Sequence, residues 1–493
     1  MIGLRKAALA TSVLLIMQPL GVLARVIPAA GEETRYAVVA AGEPLAWQGK
    51  LKLEKPGNYT VRVRVPFTIE QPQKAPLIAT ADRDMSGWFI DGTAIPLPVA
   101  RMRYRTVSGV ALPLEPGVHM LEATWTVTVA KDDTGKPVAV EPSADLKIRE
   151  QVASDLAITT GPVICQATTN SFTVTCRTTV PAAVDLQVGQ KHFSAGPGAG
   201  LMHTIKADGL GPDQAQQYLL TASAGDAKVQ AGPFTMRTMP DGNETVFAAT
   251  GDSRTQPKIW GEICAAILKH QPRFVLHTGD LIADGRVDAL WDESFWIPAR
   301  DMVATVPFYP IMGNHEQDVE LFDHVFALEK VGQRNWTQQI GPVLLIAIDG
   351  KDKGWKPDGP ATTWLEANLK SATAPYIFLI THYPALSSSS HGSDPAAKNV
   401  ILPLLAKYKA TAMIAGHDHC YERSEPEGGP TTITAGGGGA PLYEASKANP
   451  DSKVFKSVYN YVIFTANAQE CTMHAYSIDG TEIDSRTWPA VKR

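Results

Sequence analysis

The rhythm of apolar and polar positions changes twice along the chain. From residue 25 to about 150 it alternates with period two, most clearly in Leu51-Lys52-Leu53, Tyr59–Val65 and Met120–Val127. Pro56-Gly57-Asn58 and Pro116-Gly117 mark turns between such runs. Residues 153 to 240 hold a second β unit, with strands around Thr173–Cys176, Gln217–Leu219 and Gly232–Thr238. From 241 onward short, wholly apolar runs alternate with amphipathic stretches. Pro257–His270 spaces Ile259, Ile263 and Ile267 four apart, which predicts a helix between two strands, a βαβ unit. The pattern predicts a multidomain chain: two all-β sandwich domains, 25–152 and 153–240, then an α/β domain over 241–493.

Five apolar runs in the last region each end in a polar cluster. Thr245–Thr250 leads into Gly251-Asp252-Ser253-Arg254, and Phe274–Thr278 into Gly279-Asp280. Pro307–Met312 leads into Gly313-Asn314-His315-Glu316, and Tyr376–Ile380 into Thr381-His382-Tyr383-Pro384. Thr411–Ala415 leads into Gly416-His417-Asp418-His419-Cys420-Tyr421-Glu422-Arg423. Open α/β sheets place their chemistry just past strand ends of this kind. The ends present Asp252, Asp280, Asn314, His382, His417 and His419. Oxygen and imidazole donors without a thiolate suit metals of intermediate hardness such as Fe, Mn and Zn. Six donors are too many for one tetrahedral zinc and enough for two ions sharing a carboxylate.

The series GD, GD, GNHE, an isolated His and GHxH, in that order, resembles the calcineurin-like metallophosphoesterase superfamily. GHDHCYER is similar to the form found in purple acid phosphatases. The resemblance covers about residues 245 to 480, including Trp364–Leu369 and Gly436–Pro441. It implies a β-sandwich with flanking helices, two metal ions, and hydrolysis of a phosphorylated small-molecule substrate, a phosphate monoester, by a metal-bound hydroxide. It implies Asp280 as the bridging ligand. Asp252 and His419 then complete one site; Asn314, His382 and His417 complete the other. By the same resemblance His315 faces the substrate, and His391, nine residues after His382, stands where purple acid phosphatases have a catalytic histidine.

Two positions depart from the family. Arg254 stands where most members have a ligating histidine, and Ala283 where purple acid phosphatases supply a tyrosine. The first site therefore keeps three evident protein ligands, and the iron–tyrosinate colour is expected to be absent. A guanidinium offers no lone pair to a metal, but its fork suits phosphate oxygens, so Arg254 is expected to act on substrate. Asp418 is expected to point away from the metals, and Tyr421, Glu422 and Arg423 to support the histidine turn. His277, His324 and His474 read as structural.

The second β unit resembles a fibronectin type III module, which purple acid phosphatases carry before their catalytic domain. Cys176 stands where that module usually has a core tryptophan. Gly87–Gly92 and Leu112–His119 give the first unit a resemblance to jelly-roll-like domains of the protective-antigen type, some of which bind carbohydrate. That resemblance implies a carbohydrate partner for this domain, with a purely structural sandwich as the alternative.

Length and charge narrow the picture further. The chain has 493 residues and a formal net charge of −5, with no basic stripe for nucleic acid. Arg5 and Lys6, the apolar run Ala7–Met17 and Val22-Leu23-Ala24 read as a signal peptide over 1–24. A secreted or periplasmic protein without a transmembrane anchor is expected. Export permits disulfides. Cys165 and Cys176 flank Thr168–Ser171, and a hairpin centred between Asn170 and Ser171 would set them opposite each other as a bridge. Two other functions remain open: a phosphodiesterase or nucleotide hydrolase, and a cell-surface glycan-binding protein with a degenerate phosphoesterase domain. The six retained ligands argue against the second.

Overall fold

The computed structural model describes residues 26–28, 34–40, 43–44, 46–70, 77–81, 85–95, 108–110, 114–132, 134–150, 155–196, 200–242, 244–287, 290–317, 320–328, 334–351 and 355–493. The signal peptide read over 1–24 and the Leu112-Pro113 part of the jelly-roll resemblance lie outside them.

The first unit is built of strands. Gly57–Ile69 and Gly117–Val129 pair antiparallel along their whole length, between Arg35–Ala40 on one side and Gly87–Ile90 on the other. Their inward residues Val61, Val63, Leu121 and Ala123 pack with Trp88 and Trp125, as period-two alternation requires. A three-stranded sheet of Leu77–Ala81, Ser108–Val110 and Leu146–Glu150 accompanies it.

The second unit is organised around one long strand, Phe172–Val188. Its first half pairs with Val163–Ala167 and Gly200–Ala207, its second half with Lys191–Ser194 and Ala215–Ala224. The expected Cys165–Cys176 disulfide does not form; all five cysteines are free and buried. The turn closes between the Thr168 N–H and the Ser171 carbonyl at 2.8 Å, so its centre falls one residue earlier than predicted. Ala167 then faces Phe172, and a bulge at Cys165 shifts the register again. The Cys165 thiol lies 3.2 Å from Thr175 Oγ1 and donates to the Val325 carbonyl at 3.0 Å. Cys176 packs in the opposite core, among Val174, Leu186 and Tyr218. A one-residue error in register reverses the face of a side chain, and here it separates the two sulfurs.

His203 is buried in this unit, its Nε2 3.1 Å from Thr178 Oγ1. Burial pushes its imidazole down to about 4, whereas an unfolded histidine titrates near 6.5. The folded value is the lower one, so its contribution to stability is complete above pH 6.5 and declines as pH falls toward 4. The slope is about 1.4 kcal/mol per pH unit. Urea midpoints should drop between pH 7 and pH 5, and His203→Gln should flatten that drop. Identical slopes in both proteins would mean the ring is already charged in the fold.

From Thr245 two sheets face each other. One runs Phe308–Pro310, Phe274–His277, Thr245–Thr250, Asn460–Ala466, Glu470–Ser477, Glu482–Pro489. The other runs Trp336–Ile340, Val343–Ala347, Tyr376–Ile380, Ala412–Ala415, Thr431–Ala435, Tyr421–Ser424, Ser452–Lys456. In the first sheet the first three strands pair in parallel and the rest antiparallel. In the second, Trp336–Ile340 pairs antiparallel with Val343–Ala347, the strands from there to Thr431–Ala435 pair in parallel, and the last ones antiparallel. Phe247 joins the layers: it stacks on Phe464 at 4.6 Å and meets Phe378 of the other sheet edge-on at 5.4 Å. Helices Pro257–Leu268 and Ile297–Val303 cover the first sheet, and Pro360–Ser371 and Leu402–Lys407 the second. The buried face of the first helix is Trp260, Ile263, Cys264 and Ile267, with Ile259 only half-buried. A β-sandwich with flanking helices is thus what the alternating pattern builds.

The second unit leans against this region. Thr175 Oγ1 donates to the Val325 carbonyl at 2.5 Å, beside the Cys165 thiol on the same oxygen. Tyr218 donates to the Ala304 carbonyl at 2.6 Å, and Val163 and Cys165 share a core with Phe308 and Phe326.

Candidate metal centre

All six expected ligands come to one place, at the ends of the parallel strands. Their backbone is strained there. Asp252, Asp280 and His417 hold positive φ angles of 56°, 57° and 67°. Left-handed backbone costs a non-glycine residue of order 1–3 kcal/mol and persists only where its surroundings fix it. They are fixed: the Asp252 N–H donates to the Gly279 carbonyl at 3.0 Å, and the His417 N–H to Asp252 Oδ2 at 2.9 Å. The loops also press close. A Cβ at Gly313 would overlap Asp280 Oδ1, and one at Gly416 would overlap Asp252 Oδ2, so both motifs need their glycine.

Four donor atoms converge on one point. Asn314 Oδ1 lies 3.0 Å from His382 Nε2 and 3.1 Å from His417 Nδ1. His417 Nδ1 is 3.2 Å from His382 Nε2, which is 3.4 Å from Asp280 Oδ1. His382 donates through Nδ1 to the Thr278 carbonyl at 2.8 Å, so its Nε2 carries a lone pair. Oxygen and imidazole atoms gathered this closely suit a metal cation placed among them. Burial pushes His382 down, and burial with His382 and His391 alongside pushes His417 down to about 3, so both rings are neutral and able to ligate.

Beside this set lie three more donors. His419 donates through Nδ1 to the Pro441 carbonyl at 2.6 Å, which leaves a lone pair on Nε2, 3.7 Å from Asp252 Oδ1. Asp252 is fully buried, and its Oδ1 has no hydrogen-bond donor. Burial, then the Asp280 charge, push its carboxyl well above the usual range. A cation at this spot would reverse that. Asp280 lies between the two sets; burial alone would raise it, but His382, His315 and Arg254 hold it low. Asp252, Asp280 and His382 also form a three-residue cluster of buried metal-ligating groups. The donor chemistry therefore fits metal ions. His382, His417, Asn314 and Asp280 would hold one, and Asp252, Asp280 and His419 another.

The expected catalytic residues surround this centre. His315 donates from Nδ1 to the Ala283 carbonyl at 2.6 Å and turns Nε2 inward, 3.8 Å from Asp280 Oδ2. The alanine in the tyrosine position thus serves through its backbone. Arg254 reaches the three-donor set, with Nη2 3.4 Å from His419 Nε2 and Nε 3.5 Å from Asp280 Oδ2. The His391 ring lies 4.3 Å from that of His417, its Nδ1 2.8 Å from Asp418 Oδ1.

Four further residues build the site, and sequence reasoning gave them no part or a vaguer one. Asp418 does point away from the donors, and its buried carboxylate orients His391 while accepting from Ser387. Glu422 accepts from the Ser388 N–H at 2.8 Å and from its hydroxyl, anchoring the serine loop. Glu316 accepts from the N–H groups of Leu281 at 2.6 Å, Gly313 at 2.7 Å and Asp280 at 3.2 Å. The Tyr443 ring stacks on His419 at 4.1 Å. His277 is structural as expected: it is buried, 3.1 Å from Ser253 Oγ.

Residues 246–421 match the family model described as calcineurin-like phosphoesterase. The chain is 34% identical over 197 residues to human tartrate-resistant acid phosphatase type 5, covering 34% of this chain and 61% of that one. It is 26% identical over 240 residues to the uncharacterized protein Rv2577 of Mycobacterium tuberculosis, covering 39% and 45%. It thus spans less than two thirds of either relative. A purple acid phosphatase from yellow lupin seeds superposes on 88% of this chain and 94% of its own with a TM-score of 0.60, at 15% identity, a likeness of fold.

Proposed function

We propose that this chain, which carries a calcineurin-like phosphoesterase domain with purple acid phosphatase relatives, is an exported metal-dependent phosphatase acting on phosphate monoesters. The convergence of metal-ligating atoms from Asp280, Asn314, His382 and His417, each within 3.4 Å of another, carries this reading. Asp280 belongs to both donor sets and would help to hold each of two ions. Such ions supply Lewis acidity at phosphorus and a nucleophile near neutral pH. The chain's own residues do the rest. Arg254 and His315 lie against Asp280 Oδ2, at 3.5 and 3.8 Å, and would offset charge on the phosphoryl oxygens. His391, held through Nδ1, offers Nε2 to the departing oxygen.

The leader-like residues 1–24 support export, and among the described residues no helix is long and apolar enough to cross a membrane. The two-sheet arrangement around Phe172–Val188 supports the fibronectin-like reading of 153–240. Phosphate release from monoesters and diesters, before and after chelation and with Fe, Mn or Zn restored, tests the function. Monoesters should be preferred and activity should return with metal. No release from either class under any loading would refute it.

Asp418 gives a sharper test of the proton's source. His391→Ala should slow alkyl phosphates by ~10²-fold or more and activated aryl phosphates little, since only the former need a proton on leaving. Asp418→Asn should show the same selectivity, and the double variant should be no slower than His391→Ala. Independent, additive losses would mean Asp418 does not act through His391.

A further inference from the structure

Arg254 lies against the three-donor set as a cation would. Its guanidinium contacts His419 Nε2 at 3.4 Å and Asp280 Oδ2 at 3.5 Å, two of the three donors. The side chain is 17% exposed, and its buried Nε makes no hydrogen bond. The third donor, Asp252 Oδ1, is buried and has no hydrogen-bond donor either. A built ion pocket is thus partly filled by a side chain that cannot lose its charge.

We propose that Arg254 is an internal cation that competes with the metal at the three-donor site. While its guanidinium lies against Asp280 and His419, the chain holds one ion, among Asp280, Asn314, His382 and His417. A second ion enters when the guanidinium turns away, and the group that draws it away is a phosphate oxygen, whose geometry its fork matches. Phosphate and the second ion therefore favour each other's binding, and by linkage the favour is equal in both directions. The chain differs in this from a site whose two ions are resident before substrate arrives.

The inference rests on the metal-centre reading, and its test separates the two. Metal-free protein would be titrated with Mn²⁺ by calorimetry, and ion content measured after desalting. Wild type should retain one ion and bind a second ~10-fold or more weakly, the scale on which groups beside ligands alter metal affinity. Arg254→Ala and Arg254→His should retain two. Inorganic phosphate should tighten the second Mn²⁺ in wild type and do so much less in Arg254→Ala. Circular dichroism checks that each variant is folded, and the histidine variant keeps a side chain in the pocket should alanine destabilise it. Two equal ions in wild type, or one ion in folded forms of all three proteins, would overturn the competition and leave the phosphatase reading standing. No ion in any of them would overturn both.

Discussion

Asp280→Asn is expected to lower kcat/KM by ~10³-fold or more, about 4 kcal/mol of transition-state stabilisation, and to empty most of the metal centre. Asp280 belongs to both donor sets. Its Oδ1 lies 3.4 Å from His382 Nε2 and accepts the His315 N–H at 2.9 Å; its Oδ2 faces Arg254 at 3.5 Å. An amide has one acceptor oxygen and removes the negative charge. If that oxygen serves the four-donor set, an N–H₂ group points at the other, beside Arg254. The substitution thus sets a donor against a cation in a site 1% exposed to water. Ion content and kcat/KM measured together decide it. Full turnover with ions retained would show that Asp280 bridges nothing.

Glu316→Ala should cost about 3–5 kcal/mol of stability, the scale of breaking a buried charged network. For a domain of this size that is ~10 °C in melting temperature. Glu316 is wholly buried, and its carboxylate is the acceptor for three N–H groups from two different loops. Without it those three donors are left buried and unsatisfied. They also belong to the loops that present Asp280 and Asn314, so ion affinity should fall with stability. Burial and the Asp280 charge push the Glu316 carboxyl upward, while the three N–H groups oppose them. A melting temperature within a degree or two of wild type would show that the loops hold themselves.

The legible part of this site was chemistry fixed by local sequence. A strand, a glycine and an aspartate or histidine are neighbours in the chain, so the six donors and the βαβ order could be read directly. Glu316 was visible within GNHE, but its role lies in backbone donors at Leu281 and Asp280, which composition does not mark. Asp418 was placed by its direction and not by its partner, because His391 is 27 residues away in sequence. The cysteine bridge was misread because register depends on where a turn closes and whether a bulge follows. In the helix after the first motif, isoleucine spacing pointed near the right face, and Trp260 completes it. Arg254 was legible as a departure from the ligand pattern. Its contact with His419 needed the fold.

The Val325 carbonyl, which accepts from both Cys165 and Thr175, ends the short helix Glu320–Val325, four residues past the loop of Asn314 and Glu316. The 153–240 unit therefore acts as a buttress for the segment that follows a ligand loop. Interchange of β modules between enzymes of this kind is then not free. A replacement unit with the same topology but no donor at positions 165 and 175 would leave that carbonyl buried and unpaired. The two units form one inheritance, and substitutions on either side of their contact are constrained together.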